Sequence, residues 1–260
     1  MKKMQFKTLF LLLAIISAPM VSCGDDENEL PNPQEEQTPQ EEQKDTIDEA
    51  TVLNQTTTEI SQDEFVRLRA QVYEAWQETE ENGWRVTRDG QGLVTRIYFD
   101  DTTTCRPPQD AASFFTQFFG KAAASQFKLE HSGGQEGSWG ESYSQYFEGL
   151  SVSSYHFSFN NGIMVSASGL YIPMDGFIAT PAISEDLARR IYASYLKVNV
   201  DVVRESPQLS VQLIPDGKQF RPRLVYEVDC RPKAGVVASY PGGWVDARTG
   251  RMITTFTINI

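Results

Sequence analysis

Apolar positions along this chain recur with two different periods, and the change of period lays out the elements. Phe65, Leu68, Val72 and Trp76 recur at helical spacing. Ser61-Gln62-Asp63-Glu64 ahead of them has the form of a capping box, and Asn82-Gly83 supplies a stop. Residues 84–99 read as a hairpin turned at Asp89-Gly90, with Val94, Arg96 and Tyr98 alternating afterwards. Helical spacing returns from Asp110 to about Leu129, where Phe115, Phe118 and Phe119 share one stripe that reads as core. A Gly-rich loop over 131–140 follows.

Period two then takes over. Tyr143, Gln145 and Phe147 share one strand face, and Tyr155, Phe157 and Phe159 share the next. Asn160-Asn161-Gly162 is a hairpin turn signal, because Asn-Gly tolerates positive φ at both central positions. Ile163, Val165 and Ala167 continue the alternation, which ends near Pro173. The second half repeats the order on a smaller scale. Ser184 caps a helix with Leu187, Ile191 and Tyr195 on its stripe, and strands are predicted over 209–214, 224–229, 243–246 and 252–260. Pro215-Asp216-Gly217 and Thr249-Gly250 mark turns between them. A helix followed by an antiparallel sheet, present twice, predicts an α+β fold of two related helix-plus-sheet layers.

The N-terminus follows other rules. Lys2, Lys3 and Lys7 precede a short apolar run over 9–16. That run is too short for a bilayer, which needs about 20 apolar residues. It reads as a cleaved export signal over residues 1–22. Its end, Met20-Val21-Ser22-Cys23-Gly24, resembles a lipobox, so Cys23 is expected to carry lipid as the sole membrane anchor. Behind it, residues 23–60 read as an acidic disordered tether. Eleven acids between Asp25 and Glu49 stand against Lys44 alone, prolines interrupt them, and no aromatic residue is present. Gly24-Asp25-Asp26-Glu27 resembles the acidic signal that sends some lipoproteins to the outer cell face; it also reads as plain solvated linker. An outer-membrane, surface-exposed location is the expectation.

Charge narrows the partners. The chain carries a net charge of −12, and most of the excess sits in the tether. The remainder is nearly balanced and lacks the basic patch that nucleic acid or anionic lipid would need.

The strand region carries a family resemblance. Ser142-Tyr143-Ser144-Gln145-Tyr146-Phe147-Glu148-Gly149-Leu150-Ser151-Val152 resembles a segment of the fungalysin/thermolysin propeptide domains. Tyr143, Gln145, Phe147, Gly149, Leu150 and Val152 match in type, while Ser142 and Ser151 replace the usual Arg and Pro. Asn160-Asn161-Gly162 and Ser168-Gly169-Leu170-Tyr171-Ile172-Pro173 resemble the hairpin and ending that follow. The second half is similar to a PepSY domain, through Leu224-Val225-Tyr226-Glu227-Val228 and Gly243-Trp244-Val245-Asp246-Ala247-Arg248-Thr249-Gly250. The resemblance implies a propeptide-like domain over 61–174 and a PepSY-like domain over 178–260. Domains of this pair assist and inhibit a zinc protease, which the sequence given does not include. The implied role is therefore to bind, inhibit or chaperone a separate peptidase. A surface module for glycan or peptide ligands, and a structural envelope component, are the rival expectations.

Candidate chemistry is sparse. His131 and His156 are the only histidines, and neither belongs to an H-E-x-x-H pattern. No nucleophile has a base beside it in sequence, so neither enzymatic activity nor a cofactor or metal is expected. Cys105 and Cys230, each followed by Arg-Pro, form either a disulfide in an oxidising compartment or two free thiols. Trp139 between glycines is either a partner-binding anchor or a ring folded back on the sheet.

Overall fold

The computed structural model describes residues 47–99, 106–217, 219–230 and 239–259. Cys23, Cys105, the export signal and the Asp100-Asp101 pair lie outside them. Residues from Asp45 onward form one compact unit. Among the described residues no helix is long and apolar enough to cross a membrane.

Local chemistry sets most element ends. The elements run α1 (Glu49–Leu53), α2 (Gln62–Glu74), β1 (Gln77–Glu81), β2 (Trp84–Arg88), β3 (Val94–Tyr98), α3 (Ala111–Phe119) and α4 (Lys121–Ala124). They continue with β4 (Phe127–Gln135), β5 (Ser138–Phe147), β6 (Leu150–Asn160), β7 (Ile163–Gly169), α5 (Glu185–Leu196), β8 (Gln208–Asp216), β9 (Gln219–Asp229), β10 (Tyr240–Asp246) and β11 (Met252–Ile258). Ser61, Asp110 and Ser184 each cap a helix by accepting from the backbone N–H three residues on. Asn161-Gly162, at φ 48° and 81°, turns β6 into β7 as its residue types predict.

The strands form two antiparallel sheets. One has seven strands in the order β1-β2-β3-β7-β6-β5-β4, and the other has four in the order β11-β10-β9-β8. Together with the helices they make the α+β fold that the periodicity predicts. α3 covers one face of the large sheet with an aromatic core. There Phe114 and Phe115 pack on Tyr155 and Phe157, and Phe115 stacks on Phe127 with ring centroids 3.8 Å apart. α5 covers one face of the small sheet through Leu187, Ile191 and Tyr192, and this core extends to Leu150, Val152 and Ile172 beside the large sheet.

Four element boundaries depart from the sequence reading. α2 ends at Glu74, so Trp76 is not helical and stands 57% exposed. Asn82-Gly83 is instead the turn of a β1–β2 hairpin, and β1 has no apolar residue by which periodicity could reveal it. The helix expected to reach Leu129 breaks at Gly120, whose φ is 88°, and the chain becomes strand from Phe127. The Gly-rich loop is a hairpin too, with Gly133 opposite Gly140 and Gly134 opposite Trp139.

The end of the expected tether is ordered against the fold. Val52 is buried in the small sheet's core, and the Gln55 carboxamide donates to the Gly250 carbonyl while accepting from Met252 N–H, both at 2.9 Å. Glu59 and Ile60 then donate their N–H groups to Met252 and Ile253. An amide side chain and two backbone donors thus satisfy groups at the β11 edge that composition alone could not reveal. α2, placed with the first half by sequence order, packs on the small sheet, where Phe65 meets Ile214, Val225 and Ile253.

Candidate functional site: a cleft between the two sheets

The large sheet has a second face, opposite the aromatic core, and small polar residues cover it. Because β6 alternates, burying Tyr155, Phe157 and Phe159 turns Ser154, His156 and Ser158 outward. Cross-strand register aligns Ser142, His156, Ser168 and Arg96 in one row across β5, β6, β7 and β3.

At one corner this bare face meets α2 and the β8–β9 hairpin. Serine and glycine there are too small to fill the space, and a cleft of about 500 Å³ remains. Ser153, Ser154, Ser168 and Gly169 form its floor, and Thr95 and Arg96 its rim. Phe65, Arg69 and Val72 of α2 form one wall; Val211, Gln212, Leu213, Phe220 and Trp244 form the other. A side chain at Gly169, whose φ is 153°, would place Cβ 2.7 Å from Tyr155 Cα and Cγ, so only glycine fits beside β6 there.

The β2–β3 turn closes one end. Gly90 donates its N–H to the Val72 carbonyl at 3.0 Å, and Gln91 Nε2 reaches the Phe220 carbonyl at 3.4 Å. The buried Asp89 carboxylate shapes the turn by accepting from Gln91 and Leu93 N–H, both at 2.9 Å. Asp89 is also the only carboxylate of the lining, set against the guanidinium groups of Arg69 and Arg96. Trp244 Nε1 is buried with no hydrogen-bond partner among the described residues. Arg96 and the Trp244 N–H thus bring donors to the lining, in a chain whose net charge is −12. β8 is moreover an edge strand, and its outer side runs against β6 at the cleft.

A buried glutamine supports the floor. Gln145, fully buried, uses its whole carboxamide. Oε1 accepts from Ser153 Oγ at 2.8 Å and Ile172 N–H at 3.1 Å, while Nε2 donates to Gln126 Oε1 at 2.8 Å and the Ile172 carbonyl at 2.7 Å. It thereby ties β5, β6 and the segment after β7 together beneath the cleft.

The residues singled out by sequence lie elsewhere. Trp139 is half-buried on β5 and stacks on Phe159, ring centroids 4.8 Å apart and planes 6° from parallel. Cys230, the one cysteine among the described residues, is half-buried beside Val203. Burial, and after it the Asp229 carboxylate, push its thiol up from the ordinary cysteine value, which disfavours the reactive thiolate. His131 and His156 are both exposed. His156 Nδ1 lies 2.9 Å from Ser142 Oγ, a pairing that only the β5–β6 register creates. Nucleophilic catalysis also needs a group to orient the histidine and donors for an oxyanion, and among the described residues Ser142 is the only side chain bonded to His156. Among the same residues no cluster of three or more His, Cys, Asp or Glu could hold a metal.

No family model and no curated protein matches the chain. Among solved structures it is similar to the Bacillus megaterium YpeB C-terminal domain at 13% identity, over 78% of this chain and 100% of that one, with a TM-score of 0.32. At that level the likeness carries no argument about fold or function.

Proposed function

We propose that this chain is a lipid-anchored, non-catalytic module of the cell envelope that binds a segment of a separate peptidase in the inter-sheet cleft, and so inhibits or chaperones it. The cleft carries the reading. Its volume of about 500 Å³ suits a few extended residues, and the Arg96 guanidinium with the Trp244 N–H suits peptide carbonyls and carboxylates. The propeptide-like motif around Gln145 and the lipobox at Cys23 support the role and the anchor. No cofactor enters it.

The test uses residues 45–260, which form a compact unit, with peptidases purified from the same envelope. The unit should slow a peptidase, or raise its refolding yield, at near-stoichiometric amounts. Ser154→Trp, which fills the cleft from an exposed floor position, should weaken the effect at least about tenfold, whereas Ser154→Ala should leave it intact. An inhibitory effect insensitive to Ser154→Trp but lost in Trp139→Ala would move the partner surface to the β4–β5 hairpin. A second reading, a glycan ligand, draws on Phe220 and Trp244 facing serine hydroxyls across the cleft. Binding to a glycan array with no effect on any peptidase would replace the first reading by that one.

A further inference from the structure

The two sheets have four edges, and three of them are closed or guarded. β8 runs against β6 and lines the cleft. β11 receives backbone bonds from Glu59 and Ile60. β1 is open but carries Glu78, Glu80 and Glu81 and no base, so a second β1 alongside it would set like charges together.

β4 is different. Of its nine residues only Phe127 is buried, it contains no proline, and among the described residues no backbone bond reaches its outer side. Its N-terminal half contains Lys128-Leu129-Glu130. Lys128 and Glu130 share one face, because both reach Tyr146. Lys128 Nζ lies 4.9 Å from the ring centroid, and Glu130 Oε1 accepts from the hydroxyl at 2.8 Å. Leu129 points to the other face, opposite Tyr143 on the side of the aromatic core, and is 51% exposed.

This order is its own antiparallel complement. A second β4 related by a two-fold axis through Leu129 would set Lys128 against Glu130 twice and Leu129 against Leu129 once. We infer that β4 is a homodimer interface in which two copies of this chain pair antiparallel about Leu129, joining two seven-stranded sheets into one. The pairing satisfies exposed backbone groups, matches opposite charges and covers Leu129 at the rim of the core. The bulge at Glu130 twists the edge and confines close pairing to a short segment. Such a small interface belongs to the weak, transient class, for which we expect a dissociation constant on the order of 10–100 μM.

Sedimentation equilibrium of residues 45–260 under reducing conditions tests this. The unit should dimerise in that range. Lys128→Glu or Glu130→Lys alone should weaken dimerisation about tenfold, since each change makes two attractive pairs repulsive, and the double swap K128E/E130K should restore it. Leu129→Cys should form a covalent dimer on mild oxidation that the unsubstituted unit does not form, because directly opposed Cβ atoms come within disulfide reach. A unit that stays monomeric to about 1 mM overturns the inference. So does a dimer that ignores both single swaps, or one that fails to cross-link through Leu129→Cys.

Discussion

The two sheets of this protein solve the burial problem differently, and their sequences record the difference. In the large sheet β6 alternates strictly, with Tyr155, Phe157 and Phe159 buried and Ser154, His156 and Ser158 exposed, because α3 covers only one face. In the small sheet Leu224, Val225 and Tyr226 are buried in succession, as are Met252, Ile253 and Thr254. α5 lies on one side of it and α2 on the other, so neighbouring residues of a strand both find a core. A bare face built of serine is soluble but leaves space wherever another layer approaches it. The cleft is that space.

Substitutions can break or sharpen this contrast. Phe115→Ala should cost most, about 3–5 kcal/mol by chemical denaturation, since the ring is buried and packed among other rings. Ile253→Ala on the α2 side of the small sheet should cost about 2–5 kcal/mol. A cost near zero there would mean that α2 is not a true second cover.

Gln145→Leu should cost about 1–3 kcal/mol, because it strands the buried N–H and carbonyl of Ile172. Amide exchange at Ile172 should quicken with it, and an unchanged rate would remove Gln145 as the support of the cleft floor.

Asp110→Ala should cost about 1 kcal/mol through the lost cap of α3. Hydrogen bonding from the Ser113 backbone, then from its side chain, holds the Asp110 carboxyl below the ordinary aspartate value. The folded state thus binds this proton less readily than the unfolded chain. The contribution is whole above the ordinary aspartate range and is lost as pH falls through the lowered value, so wild type and variant should converge in acid. Ser158→Ala on the bare face should change stability by no more than about 0.5 kcal/mol. A larger loss would show that the face is not bare.

Several features were legible because their causes are local. The caps at Ser61 and Ser184 depend on one side chain and an N–H three residues on, and the Asn161-Gly162 turn depends on φ at two positions. The misread segments lacked such causes. β1 is polar throughout and is a strand only because β2 pairs with it, and the segment rich in glycine around residues 131–140 is extended only because each half templates the other. Asn82-Gly83 carries the same chemistry as Asn161-Gly162, but with a polar strand before it the pair resembled a helix stop. Alternation places Gln145 on one strand face with Tyr143 and Phe147. What the glutamine does there, holding Ile172 with both ends of its amide, depends on a residue 27 positions away.

By itself the sequence determined the α+β class, the two sets of strands and most helix starts, since these follow from periodicity and caps over short stretches. Only the tertiary structure decided which helix covers which sheet, that residues 47–60 belong to the fold, and that a cleft exists at all. Its lining comes from α2, the β2–β3 turn, β3, β6, β7, β8, β9 and β10, and runs from Phe65 to Trp244. Serine reads as surface in any local window. It becomes the floor of a site only where a second layer stands over it, and that is set by long-range packing that no short window contains.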